Sequence, residues 1–176
     1  MSEAALRPKV IDRLGTYARF AHESGAEAVL LTCTAFGRLA DEVSRAVDCR
    51  VLAVLDIMLD EAMKQRGRIG IIGSHPGTVV GTERLLRERA REEGRAIVSE
   101  SRLGAGAFDA MRGGDLRTHD RIVLENVGEL VRQVDVVIAP QPSMEQALLQ
   151  YEGDGRKVPL LTSPRLSVER LRLALR

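Results

Sequence analysis

Apolar residues follow two alternating rhythms along this chain. Val10, Leu14, Tyr17, Ala18 and Ala21 recur at helical spacing, and Gly25 can end that first helix. Short continuous apolar runs then predict strands at 28–32, 50–54, 68–73, 96–100, 135–139 and 158–161. Amphipathic stretches between them predict helices at 39–47, 57–65, 79–93, 108–112, 119–134, 143–150 and 168–175. Strands that are apolar throughout, separated by amphipathic helices, indicate an α/β fold with parallel sheets flanked by helices.

The opening departs from this rhythm. An α/β domain of this kind normally begins with a buried strand, and nothing in residues 1–9 reads as one. Either the first part is built without it, or the sequence lacks an N-terminal piece. Two polar connectors, "KQRGR" at 64–68 and "YEGDGRK" at 151–157, divide the rest. They predict a first lobe of residues 1–64 plus 158–176, incomplete at its start, and a second lobe of residues 65–157. Both parts carry the same unit of helix, apolar strand and a short turn rich in small hydroxyl residues.

Composition narrows the picture mainly by exclusion. The 26 basic residues balance 25 acidic ones, so no electrostatic case arises for nucleic acid or an anionic membrane. The arginines of "RLLRERAREEGR" alternate with glutamates and read as a solvated helix face. Aromatics are 3% of residues and tryptophan is absent, which disfavours a stacking platform for bases or a sugar-binding cleft. The start "MSEAALRPKV" has no apolar core of a leader, and no apolar run is long enough to span a bilayer. Two cysteines are no disulfide framework, so a cytoplasmic, reducing setting is expected.

Open α/β sheets bind ligands at the carboxyl ends of their strands. Three such ends are chemically loaded: "TCTAFG" at 32–37, "GSHPGT" at 73–78 and "APQPSM" at 139–144. Each precedes a predicted helix, whose free N–H groups favour a carboxylate. Cys33 sits at the first of these ends, where a helix start favours the thiolate as base or nucleophile. The same position also suits an inert, buried cysteine. Cys49 precedes a strand at its amino end and reads as structural. Ser74 and Thr78 can hold a carboxylate or cap the next helix. His75 between them reads as a solvent-facing loop residue or as an acid or base, and His22 and His119 read as structural. Ser143 in "SMEQ" fits the N-cap of a capping box with Gln146. No spacing of ligands suggests a metal, and the serine-hydrolase elbow, phosphate loop and dinucleotide fingerprint are missing.

Taken together, "GAEAVLLTCTAFG", "GRIGIIGSHPGTVVGTERLL", "GAFDAMRGGDLRTHD", "VDVVIAPQPSM" and "VPLLTSPRLSVERL" resemble the aspartate/glutamate/hydantoin racemase superfamily in order and spacing, over nearly the whole chain. The resemblance implies two similar lobes facing across a cleft, each presenting a cysteine. One thiolate removes the proton next to a carboxyl group, and the other thiol returns one to the opposite face. Backbone amides and hydroxyls hold the carboxylate, without cofactor or metal. Cys33 falls on the first-lobe cysteine with Thr34 beside it, and Ser74 and Thr78 fall on second-lobe hydroxyl positions.

Two positions depart from that pattern. The second cysteine is replaced by Gln141, whose neutral amide can orient a substrate but cannot carry a proton back and forth. The first strand is the other missing part. The resemblance therefore implies an isomerase or racemase-type enzyme for a small carboxylate or amino-acid derivative, with Cys33 catalytic and Thr34, Ser74, Thr78, Gln141 and Ser143 binding substrate. Its competitors are a single-thiol decarboxylase of the same superfamily and a non-catalytic carboxylate-binding protein. The family often dimerises, and the sheet edge beside strand 28–32 is one that a second copy could cover.

Overall fold

The computed structural model describes residues 3–65, 67–153 and 157–175. Residue 66 of the first connector, residues 154–156 of the second and residues 1–2 of the opening lie outside the described residues. The chain forms two compact units, one of Met1–Ile57 with Ser167–Arg176 and one of Met58–Leu166. Both sheets are parallel and flanked by helices, so the architecture is α/β.

Unit 1 opens with helix α1 (Glu3–Glu23), so residues 3–9 are helical. Strand β1 (Ala28–Leu31) pairs with β2 (Arg50–Ala53) and with no other strand among the described residues. All four residues of β1 are half-buried, as befits a strand with one hydrogen-bonded neighbour. Between the strands run a 3-10 turn (Thr34–Leu39) and helix α2 (Ala40–Arg45). Ala18 of α1, Leu39, Ala40 and Val43 of this connection, and Val51 and Ala53 of β2 share one apolar cluster. That cluster explains the helical spacing in the first helix: Leu14 and Ala18 face inward while Tyr17 and Phe20 stay exposed. After β2 the chain enters α3 (Val54–Lys64), within which the boundary between the units falls.

Unit 2 is built on β3 (Arg68–Gly73), β4 (Val98–Leu103), β5 (Val136–Ala139) and β6 (Leu160–Thr162), in the order β4-β3-β5-β6. The two central strands are the two most apolar runs of the unit. Ile72, Val137 and Ala139 pack with Val123, Val127 and Leu130 of α6 (Leu116–Leu130) and Met144 beyond β5. Ile69, Ile71, Val136 and Ile138 alternate with them, are equally buried, and point to the opposite face. At the start of β3, Gly67 has φ +120°, and a side chain there would strike Asp135. Asp135 uses that space to accept from the Arg68 N–H at 2.8 Å, while its own N–H donates to the Arg68 carbonyl at 2.8 Å. This ties the amino ends of the two central strands together.

Helix α4 (Pro76–Glu92) follows β3, and α5 (Ala107–Arg112) precedes α6. Arg89 of α4 pairs with Asp60 of α3, and Arg102 of β4 with Glu129 of α6 at 2.9 Å. Short helix α7 (Glu145–Leu148) and a 3-10 turn (Pro142–Met144) follow β5, and α8 (Ser163–Ala174) closes the described chain. The division differs from the one expected at the second connector. Strand β6 pairs with β5 through Val137↔Leu160, Ile138↔Leu161 and Ala139↔Thr162, so residues 158–166 belong with the second unit. Among the described residues, no helix is long and apolar enough to cross a membrane, and no cluster of three or more His, Cys, Asp or Glu could hold a metal.

Candidate functional site

In unit 1, the backbone of Cys33 is extended (φ −88°, ψ 120°) and turns directly into the 3-10 turn that starts at Thr34. The strand thus ends in a residue whose carbonyl accepts from Phe36 N–H at 3.0 Å while its thiol stays exposed. Thr34 is half-buried as the first residue of that turn. Gly37 lies within the turn, where a side-chain carbon would touch Ala53 and Leu55, so the turn packs closely on the end of β2. An α-helix was predicted from 39, and the 3-10 turn before it brings the helical start up to Cys33. Cys49 lies at the other end of the sheet, just before β2, half-buried, with its sulfur 4.0 Å from the Ala26 carbonyl and 3.8 Å from that of Arg50. Two surface depressions of unit 1 lie along α1 and α2, lined by residues such as Arg7, Ile11, Arg19 and Ala46.

In unit 2, the carboxyl ends of β3 and β5 lie side by side, and a pair of hydrogen bonds joins them. The Ser74 N–H donates to Gln141 Oε1 at 2.7 Å, and Gln141 Nε2 donates to Ser74 Oγ at 2.8 Å. Ser74 is only 4% exposed, whereas Gln141 is half-buried. A backbone N–H can only donate, which fixes the amide orientation: the oxygen faces Ser74 N and the NH2 faces its hydroxyl. Gly73 makes room for this arrangement, because a side-chain carbon there would sit 2.8 Å from Val79 Cγ2 and 3.4 Å from Gln141 Oε1.

The residue capping α4 is His75, not Ser74 or Thr78. Its Nδ1 accepts from Gly77 N–H at 3.1 Å, with Pro76 at the first helical position. The His75 ring stands edge-on to Phe108 of α5, with centroids 5.5 Å apart, and the Arg112 guanidinium lies over that Phe108 ring. His75 is exposed, as a loop residue was expected to be, but it is engaged in the helix start. Thr78 is half-buried in the first turn of α4, its N–H donating to the His75 carbonyl at 3.0 Å.

Ser143 corrects a sequence expectation. It lies inside the 3-10 turn Pro142–Met144, and the residue before α7 is Met144, with no side-chain cap. Pro142 explains the shift: its fixed φ starts the turn one residue earlier, and Gln141 takes the flanking place. Of the two histidines expected to be structural, His22 ends α1 with Nδ1 3.3 Å from the Ala26 carbonyl. His119 is buried in α6 with Nδ1 2.7 Å from Asp120.

The structure therefore brings Ser74, Gln141 and, through the helix start, His75 and Thr78 together within unit 2, and it places Cys33 with Thr34 in unit 1. The contact between Ser74 and Gln141, 67 positions apart, was missed from sequence. So was the cap by His75, although its signal was present as a polar residue followed by Pro76.

Relatives share this architecture. The chain superposes on a glutamate racemase isoform from Bacillus anthracis with a TM-score of 0.64 at 19% identity, covering 94% of this chain and 65% of that one. It thus spans less than two thirds of that racemase's length. An aspartate racemase homologue from Pyrococcus horikoshii gives a TM-score of 0.69 at 18% identity, over 94% and 74% of the two chains. An arylmalonate decarboxylase gives 0.59 at 20% identity, over 94% and 76%. At these identities the likeness is one of fold. No curated protein matches the sequence. The sequence model of one family, described as Asp/Glu/hydantoin racemase, matches residues 3–171, and the chain belongs to that family.

Proposed function

We propose that this chain is a cofactor-independent, racemase-type enzyme acting at the carbon next to a carboxylate, with Cys33 as its base or nucleophile. The substrate is a small carboxylic acid or amino-acid derivative. Thr34 of the first unit and Ser74, Thr78, Gln141 and Ser143 of the second are assigned to binding it. The observation that carries the reading is Gln141. The residue at the second-thiol position is an amide bonded twice to Ser74, and an amide does not exchange protons in such a cycle. The chemistry left to a single exposed thiol is one-base chemistry.

In that chemistry the Cys33 thiolate takes the proton from the carbon next to the carboxylate, forming S–H as the C–H bond breaks. The electron pair moves into the carboxylate, giving an enediolate held by N–H and O–H donors. The same thiol, once its S–H has exchanged with solvent, returns a proton to the same face, and the net result is hydrogen exchange with retention. Where the substrate carries a second carboxylate, the C–C bond breaks instead to release CO2, and Cys33 as S–H protonates the resulting enediolate and is reprotonated by water. Fast inversion needs a second proton carrier on the opposite face, and none is assigned.

Incubation in deuterated water with a panel of small carboxylic acids tests this. Deuterium should enter next to the carboxylate without matching loss of optical activity, and Cys33→Ala should reduce exchange by at least a hundredfold. Rapid racemisation that survives Cys33→Ala would defeat the assignment. A second reading, a non-catalytic carboxylate binder, draws on the same Gln141 amide. It is the outcome if carboxylates bind but none exchanges.

A further inference from the structure

One buried nitrogen of unit 2 has no place in the chemistry described so far. His119 is 1% exposed, and its Nδ1 lies 2.7 Å from Asp120 Oδ1. An ionised carboxylate only accepts, so Nδ1 carries the hydrogen of that bond. Nε2 is buried too and meets no partner among the described residues. With a lone pair or with a proton, it is desolvated without a hydrogen bond. That favours any state in which water reaches it.

Helix α5 is the neighbouring element with the least to hold it down. Of its six residues only Ala107 is fully buried, and a helix so short is not stable by itself. Gly106 before it and Gly114 after it have φ +84° and +81°. Its carboxyl end folds straight onto the first turn of α6. There Asp115 N–H donates to the Ala110 carbonyl at 2.9 Å, and His119 N–H to the Asp115 carbonyl at 3.1 Å. Near its amino end, Phe108 stands against the His75 ring, the residue after Ser74. The loop before it is anchored, since Gly104 N–H donates to the Gly73 carbonyl at 2.9 Å.

From these observations we propose that α5 is a flap of unit 2, hinged at Gly106 and Gly114, that closes over His119 and the carboxyl end of β3. The closed form is the one described above, and the unpartnered Nε2 of His119 holds it close to opening. Opening draws Phe108 away from His75 and lets water reach Nε2. Closing costs the hydration of that nitrogen and regains the Phe108 contact. A segment with so few buried contacts opens locally, well below the free energy of global unfolding. The device stands whether the strand ends below it serve catalysis or binding alone.

Amide hydrogen exchange and carbethoxylation by diethyl pyrocarbonate test the flap in the whole chain. The reporters are the amides of Ala110, Gly113 and Asp115, bonded to the carbonyls of Gly106, Asp109 and Ala110. In the parent they should exchange about a hundredfold faster than those of Val127 and Leu130, at a rate that low urea leaves unchanged. Phe108→Ala should speed both their exchange and the modification of His119 about fivefold, with the Val127 and Leu130 amides unaffected. His119→Leu, which puts an apolar group in place of Nε2, should slow the three amides about tenfold. His119→Gln keeps a buried polar group there and should not slow them. Rates are compared at equal global stability, set with urea, so a weakened fold does not imitate the result. Parent α5 amides that exchange only as fast as Val127 overturn the flap, and that measurement needs no variant. Unchanged or faster exchange in His119→Leu removes His119 from the device and overturns the proposal as stated. Modification of His119 that Phe108→Ala does not accelerate overturns it as well, because α5 is then not its cover.

Discussion

At the level of single residues, the two cysteines separate by what surrounds them. Cys33 is exposed at the carboxyl end of β1, whereas Cys49 is half-buried at the amino end of β2 with two carbonyl oxygens near its sulfur. Brief treatment with iodoacetamide should therefore label Cys33 at least several-fold faster than Cys49, read by mass mapping. Equal slow labelling would remove an activated thiolate at Cys33 from the account. Strand and turn composition made the address of Cys33 legible in the sequence, because a run of apolar residues followed by small hydroxyls and Gly37 marks a strand end. The partner of Ser74 was not legible, since a bond across 67 positions depends on strand order and register. Gln141 could be placed by resemblance, yet its two bonds to Ser74 follow only once β3 and β5 are neighbours.

Among the strands of unit 2, legibility followed burial. Strand β3 was predicted with its observed limits and β5 within one residue, because both are apolar along their whole length. Strand β4 was misplaced by two residues or more: it is an edge strand, "VSESRL", whose polar alternation carries less signal than the run before it. Helix starts were read too late at α4 and α8, where Pro76 and Pro164 mark the first turn without contributing to the apolar stripe. The start of α6 was also read late, and there the cap is electrostatic. The Asp115 side chain accepts from Thr118 N–H at 3.0 Å, and that bond holds its carboxyl below the usual carboxylate range. The Thr118 side chain, Arg117 and Arg121 act in the same direction. Folding thus favours the ionised form, so the cap stabilises α6 above the ordinary aspartate range and is lost as pH falls through the depressed value. Thermal melts should show Asp115→Ala less stable than the parent at neutral pH, with the difference vanishing in strong acid. Asp115→Asn, which keeps an acceptor without a titrating group, should show the same narrowing with falling pH from a smaller gap at neutral pH, because only the charge is lost. A constant gap for Asp115→Ala across the whole range would remove the charge from the account.

For the whole molecule, the question is whether the family's two-thiol chemistry can be regained by one side chain. The chain keeps a cysteine at the first-unit strand end and carries an amide at the corresponding end of the second. Gln141→Cys would supply a second proton carrier but break the Ser74 clamp. The Ser74 N–H, now without Oε1, loses an acceptor at a site that is largely buried, at a cost of about 2 kcal/mol. For a chain of this size that corresponds to a melting temperature lower by roughly 5 °C. Against that cost, racemisation of a carboxylate that the parent only exchanges should rise above the parent level. The gain should disappear in the double variant Cys33→Ala/Gln141→Cys, because inversion needs a carrier on each face. That double variant should still exchange deuterium, now on the face opposite to the one used by Cys33, which chiral analysis of the labelled product resolves. A folded Gln141→Cys protein with two reactive thiols and no racemisation would mean that the two strand ends do not address one substrate carbon. The one-thiol reading would then have to stand on Cys33 alone.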